Sequence, residues 1–353
     1  MNNMRTIFSW FALFVLLLSS CRGVSETSVI TSCRYAEYFD VSIVDTASLS
    51  TRAVIVSPYD GSTDTLEFAG PLRNIICMSS SHVACLSAIG AQDCISGVSG
   101  LGFLTDEKVR EHAFDVGYDN SLDYERILQL KPDLVVAYTV SASVPQYVAK
   151  LESLDVPVVV LYDHLEAHPL ARAEYVRLFG ALTGKVSQAD SVYDAVCSRY
   201  EVLAEEAAAD GVKKQVFMNI PYSDAWYIPG KDSYMSRLIQ DAGGEVIGAG
   251  SGVTSRVISL EDAYLLSQKA DVWLNPGYCR TREQLSSVHQ LFPSFGPLKS
   301  GLPIYNNTLR MTPEGGNDFY ESGVVRPDLI LEDLVRMFRG SSSDSLHYHF
   351  LLK

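Results

Sequence analysis

The chain has 353 residues, 47% of them hydrophobic, and carries 42 acidic against 28 basic side chains for a net charge of −14. That excess of negative charge would repel phosphate backbones and excludes a nucleic-acid partner. The length suffices for two lobes with cores of their own.

The N-terminus sets the compartment. Arg5 precedes an uncharged apolar run from Ile7 to Leu18. The run is too short for a bilayer span of roughly 20 residues and reads as a secretory signal over 1–20. It stops at Leu18-Ser19-Ser20-Cys21, small residues before a cysteine, as at a lipoprotein cleavage site. Cys21 is then the lipidated first residue, and the small polar residues over 21–34 are a tether. No later stretch is apolar enough to cross a membrane. The body is therefore expected in the periplasm or cell envelope, held to the membrane by lipid. The other cysteines, Cys33, Cys77, Cys85, Cys94, Cys197 and Cys279, have no CxxC spacing, so no metal site is expected among them. They read as mostly buried thiols with room for one bridge.

In chain order, residues 35–70 read as a small β extension at the edge of the first lobe, with strands over 38–44, 53–56 and 65–68 and a turn at Asp60-Gly61. An α/β rhythm then occupies 71–165. Its strands are expected over 74–78, 94–98, 134–138 and 156–162, and its helices over 82–89, 122–130 and 144–154. Ser79-Ser80-Ser81 can cap the first helix. Alternating strands and helices imply a parallel sheet covered on both faces. The rhythm gives way over 166–210 to helix alone, with Pro169 at a first turn and a break at Gly184. This is too long for an ordinary crossover and reads as a helical connection between lobes. The rhythm resumes over 211–353, with the last helix over 326–339 and His347 and His349 in a frayed tail.

The segments Arg73-Asn74-Ile75-Ile76-Cys77-Met78-Ser79, Leu86-Ser87-Ala88-Ile89-Gly90-Ala91 and Ile95-Ser96-Gly97-Val98-Ser99 occur in a familiar order. Tyr124-Glu125-Arg126-Ile127-Leu128, Leu130-Lys131-Pro132-Asp133-Leu134-Val135 and Trp226-Tyr227-Ile228-Pro229-Gly230 continue it, as does Asp241-Ala242-Gly243-Gly244. Together they resemble the ABC-transporter solute-binding proteins for iron–siderophore complexes, haem and cobalamin, over about Arg73 to Arg339. The resemblance implies an α/β fold of two lobes with parallel-rich sheets flanked by helices, bridged by a long rigid helix, as in class III periplasmic binding proteins. It implies a cleft between the lobes, modest closure, and a permease with its ATPase as partners. It also implies no enzymatic activity and no cofactor. The ligand expected is a metal complex, a ferric siderophore first and cobalamin or haem as alternatives, bound by a monomer.

Ligands of such a sheet bind where loops leave the carboxyl ends of strands. Such loops are expected over 101–103 and 138–143 in the first lobe and over 222–227, 275–278 and 305–310 in the second, and the cleft candidates are Ser80, His82, Phe103, Tyr118, Tyr138, Tyr222, Trp226, Tyr227, Arg256 and Arg310. Aromatic rings can stack on a flat chelate, and arginines can pair with its anionic oxygens. Trp226 is placed in a loop before Pro229-Gly230. Family members also present one acid per lobe to the permease. Glu125 matches the first, while Arg237 stands where the second is expected, leaving Glu261, Asp241 or Asp232 to substitute. His164 and His168 flank Glu166, but HExxH is absent and no metal is expected there. An exported α/β enzyme such as a metal chelatase is the alternative of another class. Gly97-Val98-Ser99-Gly100 lacks the nucleophile-elbow spacing, however, and no P-loop is present.

Overall fold

A computed structural model describes residues 29–31, 33–118, 121–223, 225–340 and 346–353. The expected signal and Cys21 lie outside the described residues. The chain opens with four antiparallel strands, β1 (Val29–Thr31), β2 (Phe39–Asp45), β3 (Ser50–Val56) and β4 (Thr63–Phe68), in the order 1-2-3-4.

The first α/β lobe contains β5 (Ile75–Cys77), α1 (Ser80–Ala88), β6 (Ile95–Val98), α2 (Glu107–His112), β7 (Phe114–Asp115), α3 (Tyr124–Leu130), β8 (Leu134–Tyr138), α4 (Gln146–Glu152) and β9 (Val158–Leu161). Its sheet is wholly parallel, in the order 7-6-5-8-9. Both faces are covered, so the central strands are continuous apolar runs rather than alternating ones. Ile75 and Cys77 face one core while Ile76 faces the other. Ser79 caps α1 by accepting from the Ser81 N–H, and Asp123 caps α3 by accepting from the Arg126 N–H.

Two helices follow, α5 (Pro169–Thr183) and α6 (Val186–Asp210). Pro169 occupies the first turn of α5, where the missing N–H costs nothing, and Gly184 ends the helix at φ 72°, a conformation that other side chains resist. The 25 residues of α6 span about 37 Å. The second lobe contains β10 (Lys214–Met218), β11 (Trp226–Ile228), α7 (Tyr234–Asp241), β12 (Gly244–Val246), β13 (Arg256–Ile258), α8 (Leu260–Ser267), β14 (Val272–Leu274), α9 (Arg282–Val288), α10 (Gly296–Lys299), β15 (Ile304–Asn306), α11 (Ser322–Val325), α12 (Pro327–Phe338) and β16 (Phe350–Leu351). Its main sheet runs 12-10-14-15-16, parallel except for β16, and β11 pairs with β13 in a separate antiparallel ribbon. The order 6-5-8-9 of the first sheet thus has a counterpart in 12-10-14-15 of the second.

One apolar core runs from the first sheet through α5 and α6 into the second lobe, and a smaller cluster closes the outer face of the first lobe. The β1–β4 sheet packs on α5 rather than extending either edge of the parallel sheet. Phe39, Val41, Ile43, Ala53 and Ile55 face inward, and the Phe39 ring lies 4.5 Å from that of Tyr175. The tail is ordered, not frayed. His349 is fully buried, its Nδ1 is 2.9 Å from Asp333, and Asp333 also accepts the backbone N–H groups of His347, Tyr348 and His349. All six cysteines among the described residues are free thiols.

Candidate functional site

The carboxyl ends of β5, β6, β10, β14 and β15 open onto a shared cavity of about 560 Å³. Ser80 and Phe103 form its first-lobe side. Asn219, Tyr222, Tyr227, Asn275, Tyr278 and Asn307 form much of the other, and Gly315, Gly316, Asn317 and Tyr320 supply more of the rim. A larger open groove of about 800 Å³ runs along the β12 edge, but second-lobe residues alone line it. The shared cavity meets both lobes at the carboxyl ends of their strands, as a binding cleft must, while a neighbouring hollow of about 530 Å³ that also touches both lobes lies away from those strand ends and is lined by Thr105, Asp106, Arg310, Asp318 and Glu321.

Exposed rings dominate this cavity. Tyr222 and Tyr278 are 79% and 77% exposed, and Phe103, Tyr227 and Tyr320 are exposed as well. Tyr118 stands edge-on to Phe103 at 5.8 Å on the same side, over Gly100. Amides hold the frame. Asn219 and Asn275 end β10 and β14 at φ 65° and 56°, and Asn219 Nδ2 donates to the Tyr227 carbonyl at 2.8 Å. Asn306 Nδ2 donates to the carbonyls of Gly277 and Cys279, fixing the loop that carries Tyr278. Asn307 Nδ2 donates to the Tyr320 hydroxyl. Desolvation of that hydroxyl pushes it up to about 12, so Tyr320 is a neutral phenol. Among the described residues, no Lys, Arg, His, Asp or Glu lines the cavity.

Of the ten candidates, Ser80, Phe103, Tyr222 and Tyr227 meet in this cavity. Trp226 does not. It lies in β11 at 1% exposure, and its Nε1 donates to the Met218 carbonyl at 2.9 Å. Its ring packs among Phe217, Trp273, Phe292 and Phe295, so it is a core residue of the second lobe. His82 is buried against Phe179, with Nε2 3.5 Å from Asp163. Burial pushes the Asp163 carboxyl up, but His82 and Arg172 outweigh it and hold the group well below the usual range. His82 is thus part of a buried charge cluster and not a ligand contact. Tyr138 borders a separate hollow over 138–147. Arg256 is exposed at the far end of the β11–β13 ribbon, and Arg310 is paired with Asp318 at 2.7 Å outside the cavity. Asn275, Tyr278 and Asn307 lie in the loops 275–278 and 305–310 expected at the cleft, whereas Tyr320, Asn219 and Asn317 were not among the candidates.

No group of three potential metal ligands occurs among the described residues. Glu166 accepts backbone N–H groups of Glu37 and Tyr38, and His168 caps α5 and stacks on Tyr35. Burial, aided by Arg237, pushes His168 down to about 4, so it is a neutral cap. Glu125 and Glu261 are both exposed in the first turns of α3 and α8, the helices that lead into β8 and β14. They therefore occupy matching places in the two lobes. Arg237 lies on α7 and pairs with Asp241.

Residues 75–285, well over half of the chain, match the model of the periplasmic binding protein family. The chain belongs to that family. As a member it is a solute-binding transport component and not an enzyme. Curated relatives include an uncharacterized lipoprotein of Methanocaldococcus jannaschii, 22% identical over 80% of this chain and 69% of its own length. Another is an uncharacterized ABC transporter substrate-binding lipoprotein of Bacillus subtilis, 23% identical over 65% of this chain and 68% of its own. Among solved structures, a periplasmic haem-binding protein of Pseudomonas aeruginosa aligns with TM-score 0.60 and 16% identity, over 80% of this chain and 98% of that one. A periplasmic vitamin B12-binding protein of Vibrio cholerae aligns with TM-score 0.58 and 15% identity, over 76% and 97%. The fold common to these is the two-lobed one described above.

Proposed function

We propose that this binding protein captures an uncharged, ring-shaped metal chelate of the corrinoid type and hands it to an ABC permease. The observation that carries this reading is the chemistry of the cleft: exposed aromatic rings and side-chain amides, with no cation or carboxylate among the described residues of the lining. Corrinoids present flat faces for stacking and neutral amides for hydrogen bonding. A ferric siderophore with anionic oxygens would call for guanidinium groups, and Arg256 and Arg310 lie elsewhere. Haem is the second reading. Tyr222, Tyr227 or Tyr278 offers a phenolic iron ligand, but burying haem propionates without a cation costs several kcal/mol. The known haem-binding and vitamin B12-binding structures of the same fold make both cargoes chemically compatible with it.

In this reading Cys21 carries the lipid that ties the protein to the membrane, and Glu125 and Glu261 meet basic pockets of the permease. The cargo reading is tested by calorimetric titration of the soluble chain with cyanocobalamin, haem and a ferric hydroxamate siderophore. Cyanocobalamin is expected to bind saturably. Tyr227→Ala is expected to weaken it roughly tenfold, and Trp226→Phe to leave affinity nearly unchanged. Saturable binding of haem or the siderophore alone would overturn the corrinoid assignment.

A further inference from the structure

We propose that Glu321 and Asp318 latch the second lobe onto the first beside the cleft, and that this latch sets how fast cargo leaves. The claim about release rests on the cleft being the cargo site. The latch itself rests on contacts between the lobes. Glu321 is buried, and its two carboxylate oxygens accept the backbone N–H groups of Thr105 at 2.7 Å and Asp106 at 3.0 Å. Asp318 accepts from the Thr105 hydroxyl at 2.9 Å and is held by Arg310. One turn of the first lobe is therefore gripped by two carboxylates of the second.

Both halves of the grip are chain neighbours of cleft walls. Phe103 precedes Thr105 by two residues, and Tyr320 directly precedes Glu321. Between them the backbones touch. A Cβ on Gly316 would stand 1.8 Å from the Phe103 carbonyl oxygen, so only glycine permits this approach. Beside the latch, α5 and α6 join the lobes through continuous core and cannot hinge freely. Movement that frees cargo must then be taken up where the lobes are held by hydrogen bonds, and these are the bonds of the latch.

The groups around Glu321 give the latch a pH response. Arg310 is spent on Asp318 and Arg326 on Asp328. The carboxylate of Asp106 turns to Ser87 and the Val109 N–H. The facing residues of α1 and α6, Ala84, Ala88 and Val192, carry no charge, and Gln92 is neutral. Burial, reinforced by Asp318, pushes Glu321 up to about 7 against the pull of the two amides. Opening would rehydrate it and return it toward its ordinary value. The latched state thus holds a proton that the open state releases. Support for closure is full on the acid side and is lost as pH rises through about 7.

The test uses the full soluble chain. Amide hydrogen exchange is followed over 101–109 and, as a control, over β8, and release of cyanocobalamin is followed by stopped flow. Glu321→Ala is expected to speed exchange at Thr105 and Asp106 roughly tenfold or more, to leave β8 protected, and to speed release by a similar factor. Glu321→Gln is expected to abolish the pH dependence of release and of the exchange protection factors at Thr105 and Asp106. Thr105→Ala, which removes the hydroxyl contacts to Asp318 and Glu321 but keeps the backbone bonds, provides a milder variant should Glu321→Ala not fold, with a smaller rise in both rates. Unchanged exchange in these variants, or faster exchange with unchanged release, would overturn the latch. Should cyanocobalamin not bind the wild type, the corrinoid reading fails while exchange still decides whether the lobes are latched.

Discussion

Glu166 shows how a buried carboxylate can serve the fold yet burden it. It accepts the N–H groups of Glu37 and Tyr38 and the Tyr175 hydroxyl, tying the start of the β1–β4 sheet to α5. Desolvation nevertheless dominates and pushes its carboxyl up to about 7, from an unfolded value of 4.5. A carboxyl raised on folding contributes stability that is full below the unfolded value and is lost as pH rises through the folded one. The loss should reach at most ~3 kcal/mol. The melting temperature of the wild type is expected to fall between about pH 5 and pH 8, and Glu166→Gln to flatten part of that fall. Equal slopes in the two proteins would refute the assignment. The same scale separates Trp226 from Tyr227. The triplet Trp226-Tyr227-Ile228 is buried, exposed, buried, the period of a strand. That alternation was legible, but three residues before Pro229-Gly230 also read as a loop. The partner strand β13 lies about thirty residues on and has no local signature. Taken as a loop, the triplet makes the tryptophan the cleft residue. As a strand, it gives that place to the tyrosine.

Among the elements, those built on local chemistry were legible. The caps at Ser79 and Asp123, the proline at the start of α5 and the break at Gly184 all act within a few residues. Elements that exist only through distant pairing were not. β7 has two residues, β12 and β15 three each, and β16 returns to the sheet from a tail that follows a polar serine-rich run. What holds that tail is Asp333 on α12, which collects three backbone N–H groups and His349 Nδ1 with no exposure on either side chain. Burial pushes Asp333 up, but His349 and the amides outweigh it and lower it overall. Removing the carboxylate strands those donors in the core. Asp333→Ala is therefore expected to cost roughly 3 kcal/mol or more, read as a lower urea midpoint with unchanged slope. A change within about 0.5 kcal/mol would mean that water reaches the tail and that it is not a strap.

At the scale of the whole molecule, two α/β halves joined by helix were legible because the strand–helix rhythm stops at α5 and resumes at β10. The cleft chemistry was less so, because its rings come from segments far apart in the chain that only the sheet order brings together. That the halves share one core is a further step, and it has a measurable consequence. Residues of β3, α5, α6, β10 and α12 belong to a single buried cluster, so neither lobe can unfold without exposing apolar surface of the other. Separate unfolding would forfeit about 25 cal/mol for each Å² so exposed, and a single cooperative transition is expected. The tryptophans allow a clean test. Trp226 and Trp273 are both in the second lobe, and the third, Trp10, lies in the expected signal segment. For a chain beginning at Cys21, tryptophan fluorescence therefore reports on the second lobe alone, while far-ultraviolet circular dichroism reports on both. Coincident urea transitions by the two probes would follow from a shared core. A fluorescence transition displaced from the dichroism one would mean that α5 and α6 bind two independently folding lobes, and the latch beside the cleft would then carry more of the closure than the connector does.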